Sequence, residues 1–215
     1  MLTTPGLSEI IDAVKISRQT YQRMLTWVIN KITKVTEVVM LFTVGFFWLH
    51  DIVISLLGMS LLVFANDFVT MSIATDKVKS TNNPNIWNMK SITLSSVILG
   101  IFFALEDLFI LYIGINYFHL DFDKLCTLVM LSLVFNTQFR ILILRERGHF
   151  WSSIPSKTLI IVNITTIIGF VLLGIFGGFI ANLQMNQVFV ILGISMLFML
   201  SIDFVKYYLF KKLKV

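Results

Sequence analysis

The stretch LLVFANDFVTMSI, Leu61–Ile73, is apolar enough to lie in lipid and yet carries an acid, Asp67. It belongs to one of six apolar runs, and 57% of the 215 residues are hydrophobic while 13% are charged. Each run is about 20 residues or more, the length that crosses the hydrocarbon core of a bilayer. The sequence therefore predicts an all-α, polytopic membrane protein. Its expected spans are 26–49, 52–75, 92–117, 124–144, 158–181 and 187–209.

The basic residues predict the orientation of these spans. Most lysines and arginines fall in four regions, namely the N-terminal segment, the loop 76–91, the region 140–157 and the C-terminal end. The positive-inside rule makes those regions cytoplasmic, so we expect a cell-membrane protein with both termini inside. The net charge of +5 is then a topology signal and does not indicate a nucleic-acid partner. The basic residues concerned are Lys15, Arg18, Arg23, Lys77, Lys79, Lys90, Arg140, Arg145, Arg147, Lys157, Lys206, Lys211, Lys212 and Lys214.

Three units are expected along the chain. The segment 7–25 has apolar residues at helical spacing with charges between them, which is typical of an amphipathic helix. It predicts a cytoplasmic stalk that continues into the first span and whose apolar face needs a partner. The six-helix membrane domain then occupies 26–210, and 211–215 is a basic cytoplasmic tail.

Two acids lie deep within the first two spans. Counted from the inner ends, Glu37 and Asp67 reach similar depths near the midplane, and Asn66 adjoins Asp67. A charge in hydrocarbon costs about 2.5–3.5 kcal/mol or more, so the default hypothesis is a cation or proton site. Helical spacing places Asn30, Lys34, Glu37 and Leu41 on one face of the first span. The structural alternative is a buried ion pair between Lys34 and Glu37, with Asp67 hydrogen-bonded to its neighbours.

Further polar residues lie in the later spans. Glu106 and Asp107 are adjacent in the third span and project about 100° apart, so we do not expect both to face one site. One of them is expected to be structural or to face an outer vestibule. Glu106 and, in the fourth span, Asn136 are candidate accessory site residues, as are Lys34 and Asn30. Asp203 and Lys206 are spaced for an ion pair near the inner interface.

Three segments resemble P-type cation-transporting ATPases. LTTPGLSEIIDAVKISRQTYQRM, 2–24, is similar to the end of their phosphorylation domain and their stalk. ANDFVTMSIATDKVKSTNNPNIWNMKSI, 65–92, is similar to their sixth membrane helix and the loop after it, most like the plasma-membrane proton pumps. The motif from Asp203 to Lys206 and Tyr207 resembles their last span. The resemblance covers essentially the whole chain and implies that it corresponds to the last six spans, with 1–25 as the end of the phosphorylation domain and the stalk.

The resemblance also implies roles for individual residues. Asp67 matches the ion-binding carboxylate of the family, which is the proton acceptor in proton pumps. Glu37 matches an ion-binding carboxylate of calcium pumps, at a position where proton pumps often carry arginine. The family usually has glycine after the acid that Asp67 matches, whereas this chain has Phe68. The predicted ion site is thus Asp67, Glu37 and Asn66, and H⁺ is the expected cargo.

The phosphorylation motif of such pumps, D-K-T-G-T, does not occur in this sequence, and neither of its two Asp-Lys pairs continues that way. We therefore expect no catalytic, nucleotide-binding or metal-binding residues here, and no ATPase activity from the chain alone. ATP and Mg²⁺ would act only through a catalytic half. Met1 is expected to be an internal residue of a longer pump, from a truncated gene or a split one with a separately encoded half. The rival hypothesis is a passive channel or carrier subunit, or an inert membrane remnant.

Overall fold

A computed structural model describes residues 7–78 and 88–213. This part of the chain is all-α, as predicted, and its six helices are long and apolar enough to cross a membrane. The first six residues of the predicted phosphorylation-domain segment, residues 79–87 of the segment that resembles the loop after the sixth membrane helix, and the last two residues of the tail lie outside the described residues. The helices are α1 (Leu7–Leu49), α2 (Leu56–Ser72), α3 (Met89–Asn116), α4 (Phe122–Leu144), α5 (Lys157–Phe176) and α6 (Met185–Leu213).

The predicted stalk and first span form a single helix, α1, which spans 43 residues without a break. No proline or glycine interrupts it before Gly45, so its hydrogen-bond ladder has no reason to end at the membrane surface. At about 1.5 Å per residue it is roughly 65 Å long, more than twice the hydrocarbon thickness. The apolar residues Ile10, Ile11 and Val14 of the stalk are exposed, so the described part of the chain leaves that face uncovered.

Two helix ends differ from the predicted spans for local reasons. The second helix begins at Leu56, later than predicted, because Ser55 caps it by accepting a hydrogen bond from the Gly58 backbone N–H at 3.0 Å. The fifth helix ends at Phe176 because Gly177 and Gly178 adopt positive φ angles of 73° and 96°. These two glycines therefore terminate a helix and do not serve helix packing.

Helix α4 occupies the centre of the bundle. Nearly all of its 23 residues are buried, and it packs against all five other helices. A 3-10 turn, Ile73–Thr75, extends α2 at its end, and another, Phe150–Ser152, follows α4. Because α4 is surrounded by protein, its polar residues are held away from both lipid and water.

Helices α1 and α3 approach each other closely at Gly100. A Cβ atom at Gly100 would lie 2.7 Å from the Thr33 carbonyl oxygen and 2.6 Å from the Thr36 Cβ. The Thr33 hydroxyl donates a hydrogen bond to the Ser96 carbonyl oxygen at 3.2 Å across the same interface. This close packing brings the polar face of α1 against α3 and α4.

Candidate functional site

The buried face of α1 carries a row of polar side chains, and three of them lie deep in the first span. Asn30, Thr33 and Glu37 are all fully buried, with Leu41 further along the same face. Lys34, which the sequence placed with them, is only half-buried. This face therefore supplies a carboxylate and an amide to the interior of the bundle, while the ammonium group lies at its edge.

Glu37 is paired with Arg140 of α4. The Arg140 guanidinium donates from Nη1 to Glu37 Oε2, from Nε to Asn30 Oδ1 at 2.9 Å and from Nη2 to Thr137 Oγ1 at 3.2 Å. Neither side chain of the ion pair is exposed, and the guanidinium carbon lies 5.2 Å from the centre of the Phe103 ring. The ion pair of Glu37 thus joins α1 to α4, and it is not the pair with Lys34 that the sequence left as an alternative.

The position of Arg140 corrects the sequence analysis. It was counted among the cytoplasmic basic residues, but it lies within α4 and is fully buried. Lys206, counted with the C-terminal end, is buried within α6 in the same way. The missed signal is that Asn136 and Thr137 precede Arg140 by four and three residues, which places all three on one helical face.

Asp67 has a different environment. Its side chain is 58% exposed and lies 3.8 Å from the Lys31 ammonium nitrogen, and its Oδ1 accepts a hydrogen bond from the Asn66 amide at 3.3 Å. Asn66 itself is buried, and its own Oδ1 has no hydrogen-bond partner. The predicted site residues Asp67 and Glu37 are therefore not joined: Glu37 faces the interior, whereas Asp67 lies on an open face of α2.

Lys34 is influenced by the charges of both predicted site acids, Glu37 and Asp67. It also interacts with the charges of Arg140 and Lys31. Among the described residues, no carboxylate lies within ion-pair distance of its ammonium group. Lys34 thus adds a diffuse positive field on this side of the bundle.

Glu106 and Asp107 are both buried, because α3 is packed between other helices on both sides. Asp107 Oδ1 accepts hydrogen bonds from the Ser132 hydroxyl at 2.5 Å and from the Asn136 amide at 3.0 Å. Asp107 is fully enclosed by protein, whereas Glu106 also lines a groove between α3 and α6. Asn30, Glu37, Glu106, Asp107, Asn136 and Arg140 are together called the interior cluster.

A second polar region joins the helix ends. Asp76, which follows α2, accepts from Arg145 Nε at 2.8 Å and Nη2 at 3.3 Å, and from the Ser156 backbone N–H at 2.9 Å. Its backbone carbonyl accepts from Arg23 Nε of α1 at 2.9 Å. Asp76 therefore connects α1 and α2 to the end of α4 and the start of α5. The sequence assigned it no role.

The predicted ion pair between Asp203 and Lys206 is present at 2.8 Å. Lys206 Nζ also donates to the carbonyl oxygens of Ile143, Glu146 and Gly148, which lie at or after the end of α4. Asp203 Oδ2 lies 2.8 Å from His149 Nδ1. Asp76, Arg145, His149, Asp203 and Lys206 are together called the helix-end junction.

Arg147 lies beside this junction and is less well partnered. It donates from Nη1 to the Leu144 carbonyl oxygen at 3.3 Å, while Nε and Nη2 have no hydrogen-bond partner. Burial lowers the pKa of Arg147 to about 10, and the Glu146 carboxylate partly opposes that shift. Its guanidinium carbon lies 5.5 Å from the centre of the Phe210 ring.

Comparison with known proteins gives the same family as the motifs. The chain is 30% identical, over its whole length, to a protein of Methanocaldococcus jannaschii named as a cation-transporting ATPase. It is 33% identical over 71% of its length to the plasma membrane ATPase of Kluyveromyces lactis, and 26% identical over 74% to a protein of Leishmania donovani named as a proton ATPase. No family model matches the chain.

The resemblance to P-type cation-transporting ATPases is therefore confirmed: this chain is related to them over its full length, and it is a multi-pass membrane protein. The chain spans 27% of the archaeal relative, 17% of the yeast relative and 19% of the Leishmania relative. It thus corresponds to a fraction of a whole pump. The predicted roles of Asp67, Glu37 and Asn66 stay predictions.

Proposed function

We propose that this chain is the ion-translocating membrane part of a P-type cation pump that exports protons, with Asp67 as the proton acceptor. The observation that carries the proposal is the contrast between the two predicted site acids. Glu37 is paired with Arg140 in the core, whereas the contacts of the Asp67 carboxylate within the described residues are one with Lys31 at 3.8 Å and one with Asn66 at 3.3 Å. An acid that must take up and release a proton in turn needs the second kind of environment.

The buried guanidinium favours a proton over a metal cation. Arg140 places a permanent positive charge against Glu37, and Lys31 and Lys34 add positive charge near Asp67. These positive side chains would repel a metal cation that approached the two acids. A proton, by contrast, neutralises one carboxylate and needs no further ligands.

The open face of α2 fits a surface that other spans cover in an assembled pump. Phe64, Phe68 and Met71 are exposed there beside Asp67. An ionised carboxylate facing lipid would cost about 2.5–3.5 kcal/mol or more, so the acid is expected to be enclosed when it carries a charge. We propose that membrane spans outside these 215 residues provide that enclosure, and that both termini of this chain are cytoplasmic.

ATP hydrolysis would be supplied by a catalytic half, which binds ATP and Mg²⁺, on a separate chain or on a longer polypeptide. The long helix α1 is the element suited to couple the two halves. Its stalk has an uncovered apolar face and continues without a break to Glu37. A displacement of the stalk by the catalytic half would therefore move the interior cluster, which is the two-state coupling that transport requires.

The test is reconstitution in liposomes together with the remaining part of the archaeal relative, with proton movement followed by a pH-sensitive dye. ATP-driven proton transport is expected, and Asp67→Asn is expected to abolish it. The control is Asp51→Asn, because Asp51 is an exposed acid outside the helices and should leave transport unchanged. Transport at the original rate by Asp67→Asn would refute the proposed acceptor.

The same liposomes test the rival function. A proton leak through this chain alone, without ATP or a catalytic half, would support a passive channel or carrier if Asp67→Asn removed it. A tight membrane with the chain alone, together with ATP-driven transport by the combined halves, would support the pump.

A further inference from the structure

The interior cluster contains more acid than base. Glu37, Glu106 and Asp107 are buried, and the charged groups that act on Asp107 are Glu37 from α1, Glu106 from α3 and Arg140 from α4. The neighbouring α6 contributes the uncharged Ser195. Since the Arg140 guanidinium is already paired with Glu37, Glu106 and Asp107 have no ion-pair partner among the residues that the structure describes.

These two carboxyl groups are also short of hydrogen bonds. Asp107 Oδ1 has two donors, but no donor among the described residues lies at hydrogen-bond distance of Asp107 Oδ2 or of either Glu106 oxygen, although the Ser195 hydroxyl and the Asn136 amide lie near Glu106. Asn136 is fully buried, donates to Asp107 and leaves its own Oδ1 without a partner. The site therefore contains buried acceptor atoms without a donor among the described residues, and an additional hydrogen-bond donor would satisfy them.

Two ionised carboxylates could not remain in this environment. Moving a carboxylate from water into a low-dielectric interior costs several kcal/mol even after relaxation, and repulsion between neighbouring acids adds to that cost. Buried acids avoid the cost by binding a proton, and neighbouring acids are the arrangement in which one proton is held most firmly. A proton on Asp107 or Glu106 would also supply a missing donor, for which Asn136 Oδ1 is an available acceptor.

We propose that Glu106 and Asp107 form a second proton-binding site between α3, α4 and α6, separate from Asp67, which holds at least one proton at neutral pH. Ser132 and Asn136 position Asp107 by donating to its Oδ1. Asp67 lies on the open face of α2 and is not part of this second site. The inference concerns this chain alone and does not depend on the proposed pump function.

The structure of this site favours the binding of a proton over that of a metal ion. Within residues 7–78 and 88–213, no three His, Cys, Asp or Glu side chains form a group that could hold a metal ion. The guanidinium of Arg140 also adds positive charge to the interior cluster. Proton exchange remains feasible, because Glu106 lines a groove of about 500 Å³ between α3 and α6, with Phe102, Phe109, Ile194 and Ser201.

The test is infrared spectroscopy of the full chain in lipid vesicles, because the carbonyl stretch of a protonated carboxyl group is separate from that of a carboxylate. We expect a protonated-carboxyl band at neutral pH that shifts in D₂O and disappears as the pH is raised. The difference spectrum between the wild type and the double variant Glu106→Gln/Asp107→Asn should contain this band. Asp123→Asn is the control, because Asp123 is an exposed acid whose removal should affect only carboxylate bands.

Two outcomes would overturn the inference. The first is a wild-type spectrum at neutral pH without a protonated-carboxyl band, a result that does not depend on whether any variant folds. The second is a band that appears only when Na⁺ and K⁺ are removed, which would assign the site to an alkali cation. Each single variant is measured as well, and retention of the full band in the double variant, with helix content unchanged, would place the proton elsewhere.

Discussion

The helix-end junction and the interior cluster are both buried and polar, but they differ in how completely their groups are partnered. In the junction, Asp76 faces Arg145 and Asp203 faces Lys206, and each charged group has further hydrogen bonds to the backbone. In the interior cluster, one ion pair serves three acids, and several oxygens have no partner. The two regions also differ in composition, since the junction has two acids with Arg145 and Lys206, whereas the interior cluster has three acids and one arginine.

The difference indicates what each region does. A network in which every group is satisfied has one low-energy arrangement, and it therefore fixes the ends of α2, α4, α5 and α6 relative to one another. A network with unsatisfied acceptors gains from an additional donor, and it is therefore suited to bind one. The junction is the scaffold, and the interior cluster is the part whose protonation can change.

Arg140→Met is expected to have the largest effect on stability. The substitution removes the partner that Glu37 Oε2 has among the described residues and leaves a buried carboxylate without its cation, which costs about 3–5 kcal/mol. The free energy of unfolding would be measured in mixed detergent micelles. Lys90→Met is the matched control, because Lys90 is exposed at the start of α3 and should change stability by about 0.5 kcal/mol or less.

A double variant separates lost charge from lost packing. Adding Glu37→Gln to Arg140→Met removes the uncompensated charge, so a substantial part of the lost stability should return. If the double variant were as unstable as Arg140→Met alone, the contact of Arg140 with Phe103 and the helix packing would explain the loss, and the ion pair would not.

Asp76→Asn tests the helix-end junction. The free energy of unfolding should fall by about 3 kcal/mol, at the lower end of the range for a broken buried ion pair. The amide keeps the shape of the side chain but leaves Arg145 without its counter-charge. The loss is limited because Arg145 still donates to the Ser153 carbonyl oxygen at 2.8 Å. Thermal unfolding in lipid nanodiscs measures the change. A loss below about 1 kcal/mol would mean that Asp76 is not a main contact of the scaffold.

The close approach of α1 and α3 holds the interior cluster together, and Gly100→Ala should loosen it. The new methyl group would meet the Thr33 carbonyl oxygen at 2.7 Å, so the helices must separate, at a cost of about 1–3 kcal/mol. Gly169→Ala is the matched control, because a Cβ there meets nothing within 4 Å and alanine favours the helix. Equal stability of the two variants would contradict the observed packing of α1 on α3.

The sequence predicted the fold well because hydrocarbon imposes a simple rule, a long apolar helix for each crossing. Apolar length therefore gave all six helices, and departures at α2 and α5 come from a serine cap and two glycines. The i+3 spacing likewise gave the ion pair of Asp203 with Lys206. These features depend on residues that are close in the chain.

The partners in the interior could not be predicted in this way. Arg140 was interpreted as a cytoplasmic charge because its pairing with Glu37 joins residues 103 positions apart. The charge count near a span end does not distinguish an arginine that faces the cytoplasm from one turned inward. The sequence singles out Asp67 as an acid in an apolar run, and its role stays a prediction. Its exposure depends on which face of α2 the other helices cover, and a single sequence does not state that.

Asp107→Asn should have the smallest effect, and it sharpens the comparison most directly, because Asp107 and Asp76 are both buried aspartates. If Asp107 is protonated, an amide resembles it in charge and shape, and its oxygen still accepts from Ser132 and Asn136. The amide nitrogen of the new side chain could donate to Asn136 Oδ1. The free energy of unfolding should therefore change by no more than about 1 kcal/mol. Thermal unfolding in the same nanodiscs as Asp76→Asn measures it, and losses of equal size in the two variants would mean that Asp107 is an ionised, fully used partner like Asp76.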